Sequence, residues 1–167
     1  MKRRLLAAIL GIGGFFLSGC SPSDRTVAVV APGIVAPSGI LRSQSDLQRY
    51  LSATANSSSP LNVLSSGARD RFVSSITFNE KGITGFRYSD LQSELTASQI
   101  YAVLQLFGAE KDLAIIPNVR VETNADKRAI QSLVDPVEPV DGDYRDYQCI
   151  SRATCSYNLG TICMSSC

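Results

Sequence analysis

Thr96-Ala97-Ser98-Gln99-Ile100-Tyr101-Ala102-Val103-Leu104-Gln105-Leu106-Phe107-Gly108 carries the clearest helical pattern in the chain. Thr96 offers a side-chain oxygen suited to an N-cap, and Gln99, three residues on, completes a capping box. Ile100, Val103, Leu104 and Phe107 recur at the spacing of one helix face, with Tyr101 and Leu106 alongside. Gly108 suits the C′ position, where a left-handed residue ends a helix at little steric cost. The spacing predicts a helix from about Ala97 to Phe107.

Weaker patterns of the same kind lie on either side. Leu47, Tyr50 and Leu51 follow Ser45-Asp46 at helical spacing. Ala68, Phe72, Val73 and Ile76 form a stripe behind Ser65-Ser66, with Asn79 and Gly82 marking its end. Ser89 with Gln92 reads as the cap of a short helix through Leu95. A last helix is expected over Asp126 to Val134, with Ala129, Ile130, Leu133 and Val134 inward. Ile115-Ile116 and Val119 to Val121 flank Pro117-Asn118 as a small hairpin would. Ser52 to Ser66 is rich in Ser, Thr and Asn and reads as a surface loop. The expected fold is mainly α: a small bundle of about four helices with minor β-strand content and a disulfide-stapled C-terminal tail. Its expected core is Phe72, Ile76, Phe86, Leu91, Leu95, Ile100, Val103, Leu104, Phe107, Ile130 and Leu133.

The N-terminus reads differently. Met1-Lys2-Arg3-Arg4 is basic, and Leu5 to Leu17 carries no charge. Thirteen helical residues would span roughly 20 Å, short of the roughly 30 Å of a hydrocarbon core. This is the pattern of a cleavable signal peptide. Leu17-Ser18-Gly19-Cys20 resembles the lipobox of bacterial lipoproteins, a resemblance confined to the first twenty residues. It implies lipidation at Cys20, cleavage just before it, and a protein tethered by palmitate-type acyl chains; two or three such chains anchor stably. Ser21, rather than Asp, behind the Cys implies the outer membrane, facing the periplasm. The organisation expected is a signal peptide over 1–19, a lipid-anchored tether or extended arm over 20–42, a mainly helical domain over 43–134, an acidic Pro-containing linker over 135–147 and a Cys-rich tail over 148–167.

Cys149, Cys155, Cys163 and Cys167 fall within the last nineteen residues, and Ser21 to Gln148 holds no cysteine. Five cysteines are an odd count for a secreted chain. If Cys20 bears lipid, four remain and can form two disulfides, in any of three pairings. Zinc is the rival reading, but Cys-x5-Cys and Cys-x3-Cys are not the paired Cys-x2-Cys of zinc ribbons. No metal site and no cofactor site is read from the sequence.

The whole chain has a formal charge of +1. Without the basic start it is near −2, which leaves no electrostatic footprint for nucleic acid. There is no His, so the Ser-His-Asp and Cys-His arrangements are excluded, along with imidazole metal ligation. Glu80, Asp90, Glu94 and Glu110 could pair as acid and base, but they read better as solvated surface, as do Arg69, Arg71, Arg87 and Tyr88. No catalytic residue is assigned. The function expected is a non-enzymatic envelope lipoprotein, a binding or structural module that meets the membrane through its lipid and an envelope protein as partner. The alternative is a precursor that releases a C-terminal disulfide-stapled peptide, bacteriocin-like or toxin-like.

Overall fold

The computed structural model describes residues 40–54, 59–133 and 142–167. The signal peptide, Cys20, the tether as far as residue 39 and residues 134–141, which include most of the acidic linker, lie outside the described residues. Among the described residues there are five α-helices: α1 (Gln44–Thr54), α2 (Ser66–Ser75), α3 (Ser89–Glu94), α4 (Ala97–Gln105) and α5 (Asn124–Gln131). Short 3-10 segments occupy Pro60–Val63 and Glu110–Ile115. The four strands are β1 (Thr77–Asn79), β2 (Gly82–Arg87), β3 (Tyr144–Ser151) and β4 (Thr154–Cys163), and they form one antiparallel sheet in the order β1-β2-β4-β3. Among the described residues, no helix is long and apolar enough to cross a membrane.

The expected mainly-α bundle is therefore corrected to an α+β fold in which helices pack on an antiparallel sheet. Two misread segments explain the difference. Asn79 and Gly82 do not end a helix. They bracket the turn between β1 and β2, where the Asn79 side chain accepts from the Lys81 N–H at 2.8 Å and Gly82 takes a φ of +128°. All but the last residue of β2 is buried, so the strand lacks the in-out alternation that marks a half-exposed one. The second segment is the tail. β4 is an inner strand, and Ile162 is fully buried in the main core. The tail thus shares the core of the body. The hairpin expected around Pro117-Asn118 is also absent: Glu110–Ile115 is a 3-10 segment, and Arg120 makes an isolated bridge to Thr96.

The helix read from Thr96 to Gly108 forms as its sequence dictates. Gln99 accepts from the Thr96 N–H at 2.9 Å in a capping box, and Gly108 follows at φ +68°. Ile100, Val103 and Leu104 are fully buried. Phe72 on α2 sits edge-on to Phe86 on β2 and Phe107 after α4, with both centroid separations 6.2 Å, so three elements meet at one aromatic joint. Ile130 and Leu133 pack at the margin of the core rather than inside it.

Gly85 allows the tail strand to dock. A Cβ there would lie 2.6 Å from the Ile162 carbonyl oxygen, so only glycine lets β4 approach β2 this closely.

Candidate functional site

The tail builds one wall of a cleft because β3 and β4 are sharply bent. Arg145 pairs with Ile162 and Tyr147 with Tyr157, so Asp146 alone faces four residues of β4, 158 to 161. This is a special bulge, with several extra residues on one strand, and it bends the hairpin. Eight residues of straight strand would span roughly 26 Å, yet the Cα atoms of Cys155 and Cys163 are 6.0 Å apart and their sulfurs are bonded. The second disulfide joins Cys149 to Cys167. Of the three pairings open in the sequence, the protein thus adopts the nested one. The two bonds pack together, with the sulfurs of Cys149, Cys163 and Cys167 all within 4.8 Å.

Several polar contacts hold the bend. Asp146 adopts φ +65°, and its Oδ1 accepts from the Tyr88 hydroxyl at 2.7 Å and the Gly160 N–H at 3.0 Å. The Tyr88 N–H donates to the Gly160 carbonyl at 2.8 Å. Burial, then the adjoining Asp146 carboxylate, pushes the Tyr88 hydroxyl up to about 12. The Tyr88 bond, followed by the Gly160 N–H, draws Asp146 below the usual carboxylate range. Tyr88 is thus a buried anchor of the tail, not surface.

The cleft has a volume of about 380 Å³. Arg71, Ser74 and Ser75 of α2 line it, with Thr77 of β1, Gly85, Phe86 and Arg87 of β2, and Gln148, Asn158 and Thr161 of the bent hairpin. Arg71 and Arg87 are its charged lining residues, and among the described residues no acid lines it. Arg71 donates through Nε to Asp90 Oδ1 at 2.8 Å, with Nη2 2.7 Å from the same oxygen. Asp90 is itself buried and its Oδ2 has no partner among the described residues, so it is not the solvated acid its sequence position implies. Glu94 likewise has a structural role, accepting from the Ser65 N–H and hydroxyl, each at 2.7 Å.

Two other buried carboxylates stand apart from the cleft. Asp126 accepts from the Ser98 N–H and hydroxyl at 2.8 and 2.6 Å, and from the Thr123 N–H and hydroxyl at 2.8 and 2.7 Å. One carboxylate therefore caps the first turns of both α4 and α5. Burial alone would raise its pKa; the bonds from Ser98, Thr96 and Thr123 outweigh that and hold it well below the usual range. Asp112 is 1% exposed, and neither of its oxygens meets a donor among the described residues. Burial first, then Asp143 and Glu110, pushes it up to about 8. Burial among other carboxylates thus favours the protonated form of Asp112 at neutral pH, the form that can donate to Asp143.

The hairpin also exposes several large apolar side chains. Tyr144, Tyr147 and Tyr157 form a row of edge-on rings, and Ile150 and Leu159 are more than half exposed.

Of the residues picked from the sequence, the four tail cysteines come together. Arg71 and Arg87 read as surface in the sequence, and Asp112, Asp126 and Asp146 carried no assigned role there, because their roles depend on contacts distant in sequence. The exception is Asp126, which stands three residues after Thr123, the capping spacing used elsewhere in the chain. The class that fold and site define is a small α+β domain with a disulfide-bent hairpin and a basic cleft. Comparison with protein families, with curated proteins and with solved structures finds no match for this chain.

Proposed function

We propose that the protein is a non-enzymatic, lipid-anchored envelope module that binds a small ligand in the cleft between α2, β2 and the hairpin. The cleft carries this reading: it is concave, has the volume of a small-molecule site, and gathers polar groups from three separate parts of the chain. The exposed apolar row on the hairpin gives the same module a face for an envelope protein. Anchoring rests on Leu17-Ser18-Gly19-Cys20, with Ser21 favouring the outer membrane and its periplasmic side. The two disulfides suit an oxidising compartment. The precursor alternative has less support, because releasing the tail would remove an inner strand and the buried Ile162.

Two measurements test the reading. In the first, Cys20→Ala should remove the protein from the membrane fraction and abolish acyl labelling while the tail disulfides persist. Retention on membranes would refute the anchor. In the second, the disulfide-bonded mature chain is screened by thermal shift against a mixed set of sugars, amino acids, organic acids, phosphates and polyamines. At least one compound should raise Tm, and Ser74→Trp, which fills the cleft, should remove that shift. If no compound of any class acts, the binding reading fails.

A further inference from the structure

We infer that the cleft takes a small hydroxylated acid, a compound bearing a carboxylate or phosphate group together with hydroxyls, and that Arg87 recognises the acidic group. The inference rests on the binding reading above and names its ligand class.

Arg87 uses its backbone N–H on the Ser75 hydroxyl at 2.8 Å, but its guanidinium forms no ion pair among the described residues. Arg71 is already balanced by Asp90. Because the lining has no acid, one positive charge is left uncompensated in a concave site, where the field is focused. A planar guanidinium fork matches a carboxylate or phosphate in geometry as well as in sign.

Hydrogen-bond accounting gives the rest of the ligand. Ser74 donates its hydroxyl proton to the Arg71 carbonyl, Ser75 to that of Phe72, Thr77 to that of Gly85, and Thr161 to those of Tyr147 and Asn158. With their protons committed, these hydroxyls can offer only acceptors; Ser75 and Thr77 already accept from the Arg87 N–H and the Thr84 hydroxyl, which leaves Ser74 and Thr161 as the less occupied ones. The Gln148 carbonyl oxygen accepts from the Asn158 amide, which leaves the Gln148 NH2 as a donor and the Asn158 oxygen as an acceptor. A ligand that satisfies the cleft must therefore accept from Arg87 and from the Gln148 NH2, and donate to the remaining hydroxyl and Asn158 oxygens. Inorganic phosphate brings the charge for Arg87 but at most one or two hydroxyl protons, and a neutral sugar brings hydroxyls but no charge to meet the guanidinium.

The test is isothermal titration of the mature disulfide-bonded chain, at low salt, with glucuronate, glucose 6-phosphate, glucose and inorganic phosphate. One of the two hydroxylated acids should bind at one site per chain, at least tenfold tighter than glucose or inorganic phosphate. The two acids separate a carboxylate ligand from a phosphate one. Arg87→Gln should lower that affinity at least tenfold. Ser74→Glu, at an exposed helix position where folding is not at stake, should do the same by placing a like charge in the cleft. Glucose binding equal to the acids, inorganic phosphate binding equal to the acids, or affinity unchanged by both variants would overturn the inference. So would failure of both acids to bind. If, in that case, other compounds in the thermal-shift set still act through the cleft, only the ligand class falls; if none acts, the binding reading falls with it.

Discussion

The Tyr88 hydroxyl donates to Asp146 at 2.7 Å, a bond between residues 58 positions apart that ties the end of β2 to the bend in β3. A hydrogen bond to a charged acceptor contributes about 1.5–3 kcal/mol. Tyr88→Phe should therefore lower stability by about 2 kcal/mol in urea titration, with hydrogen exchange rising first at the Gly160 amide. The sign of the pH effect follows from Asp146. Its folded pKa is depressed, so its stabilisation is present above the ordinary Asp value near 3.8 and is lost as pH falls below it. Tyr88→Phe should flatten that acid limb.

The sequence was legible where structure is local and opaque where it is not. Thr96, Gln99 and Gly108 announced α4 because caps depend on neighbours within four residues, and the aromatic and aliphatic stripes gave most of the core. The sheet was hidden for two reasons. β2 is buried on both faces and lacks alternation, and the polar, cysteine-rich tail gave no hint that Ile162 belongs to the core. The cysteines suggested a self-contained stapled unit, whereas Gly85 lets the strand between them enter the body. The cleft was less legible still: Arg71 and Arg87 read as surface until the hairpin folds over to face them.

Loop closure ranks the two disulfides. The Cys149–Cys167 bond spans 18 residues and the Cys155–Cys163 bond 8. Chain entropy assigns them about 3 and about 2.5 kcal/mol. Replacing Cys149 and Cys167 by Ser should lower stability more than replacing Cys155 and Cys163. Ligand binding should respond in the opposite order, because Cys155 and Cys163 bracket the bulge that supplies Asn158 and Thr161 to the cleft. Equilibrium unfolding and titration of the two double variants test both rankings.

Asp126 joins two helices through one side chain, so its loss should exceed that of an ordinary cap. A single cap is worth about 1 kcal/mol. Asp126→Ala removes the acceptor for Ser98 and Thr123 together and should cost about 2–4 kcal/mol. The depressed folded pKa makes this stabilisation available above the ordinary Asp value and withdraws it as pH falls below that value. The wild-type protein should lose stability between about pH 4 and lower values, and Asp126→Asn should lose less over the same interval.

Asp112 gives the opposite pH dependence. Its folded pKa, raised to about 8, lies above the value near 3.8 expected in the unfolded chain. The folded state therefore binds the extra proton. The associated stability is fully present below pH 3.8 and declines as pH rises, until the folded carboxyl has ionised near pH 8. Once ionised, Asp112 would face Asp143 and Glu110 as like charges with no donor to either of its oxygens. An Asn at this position keeps the shape of the protonated acid and can still donate to Asp143, but it cannot ionise. Asp112→Asn should therefore raise stability at pH 8, leave it nearly unchanged at pH 4, and remove the downward slope between. Asp112→Leu separates the hydrogen bond from the charge: it should also abolish the slope, but gain less, because Asp143 then loses its donor. Melting curves of the three proteins from pH 4 to 9 decide the matter. A wild-type Tm that does not fall across that range would mean that Asp112 is ionised in the folded state and that its neighbours bear no shared proton.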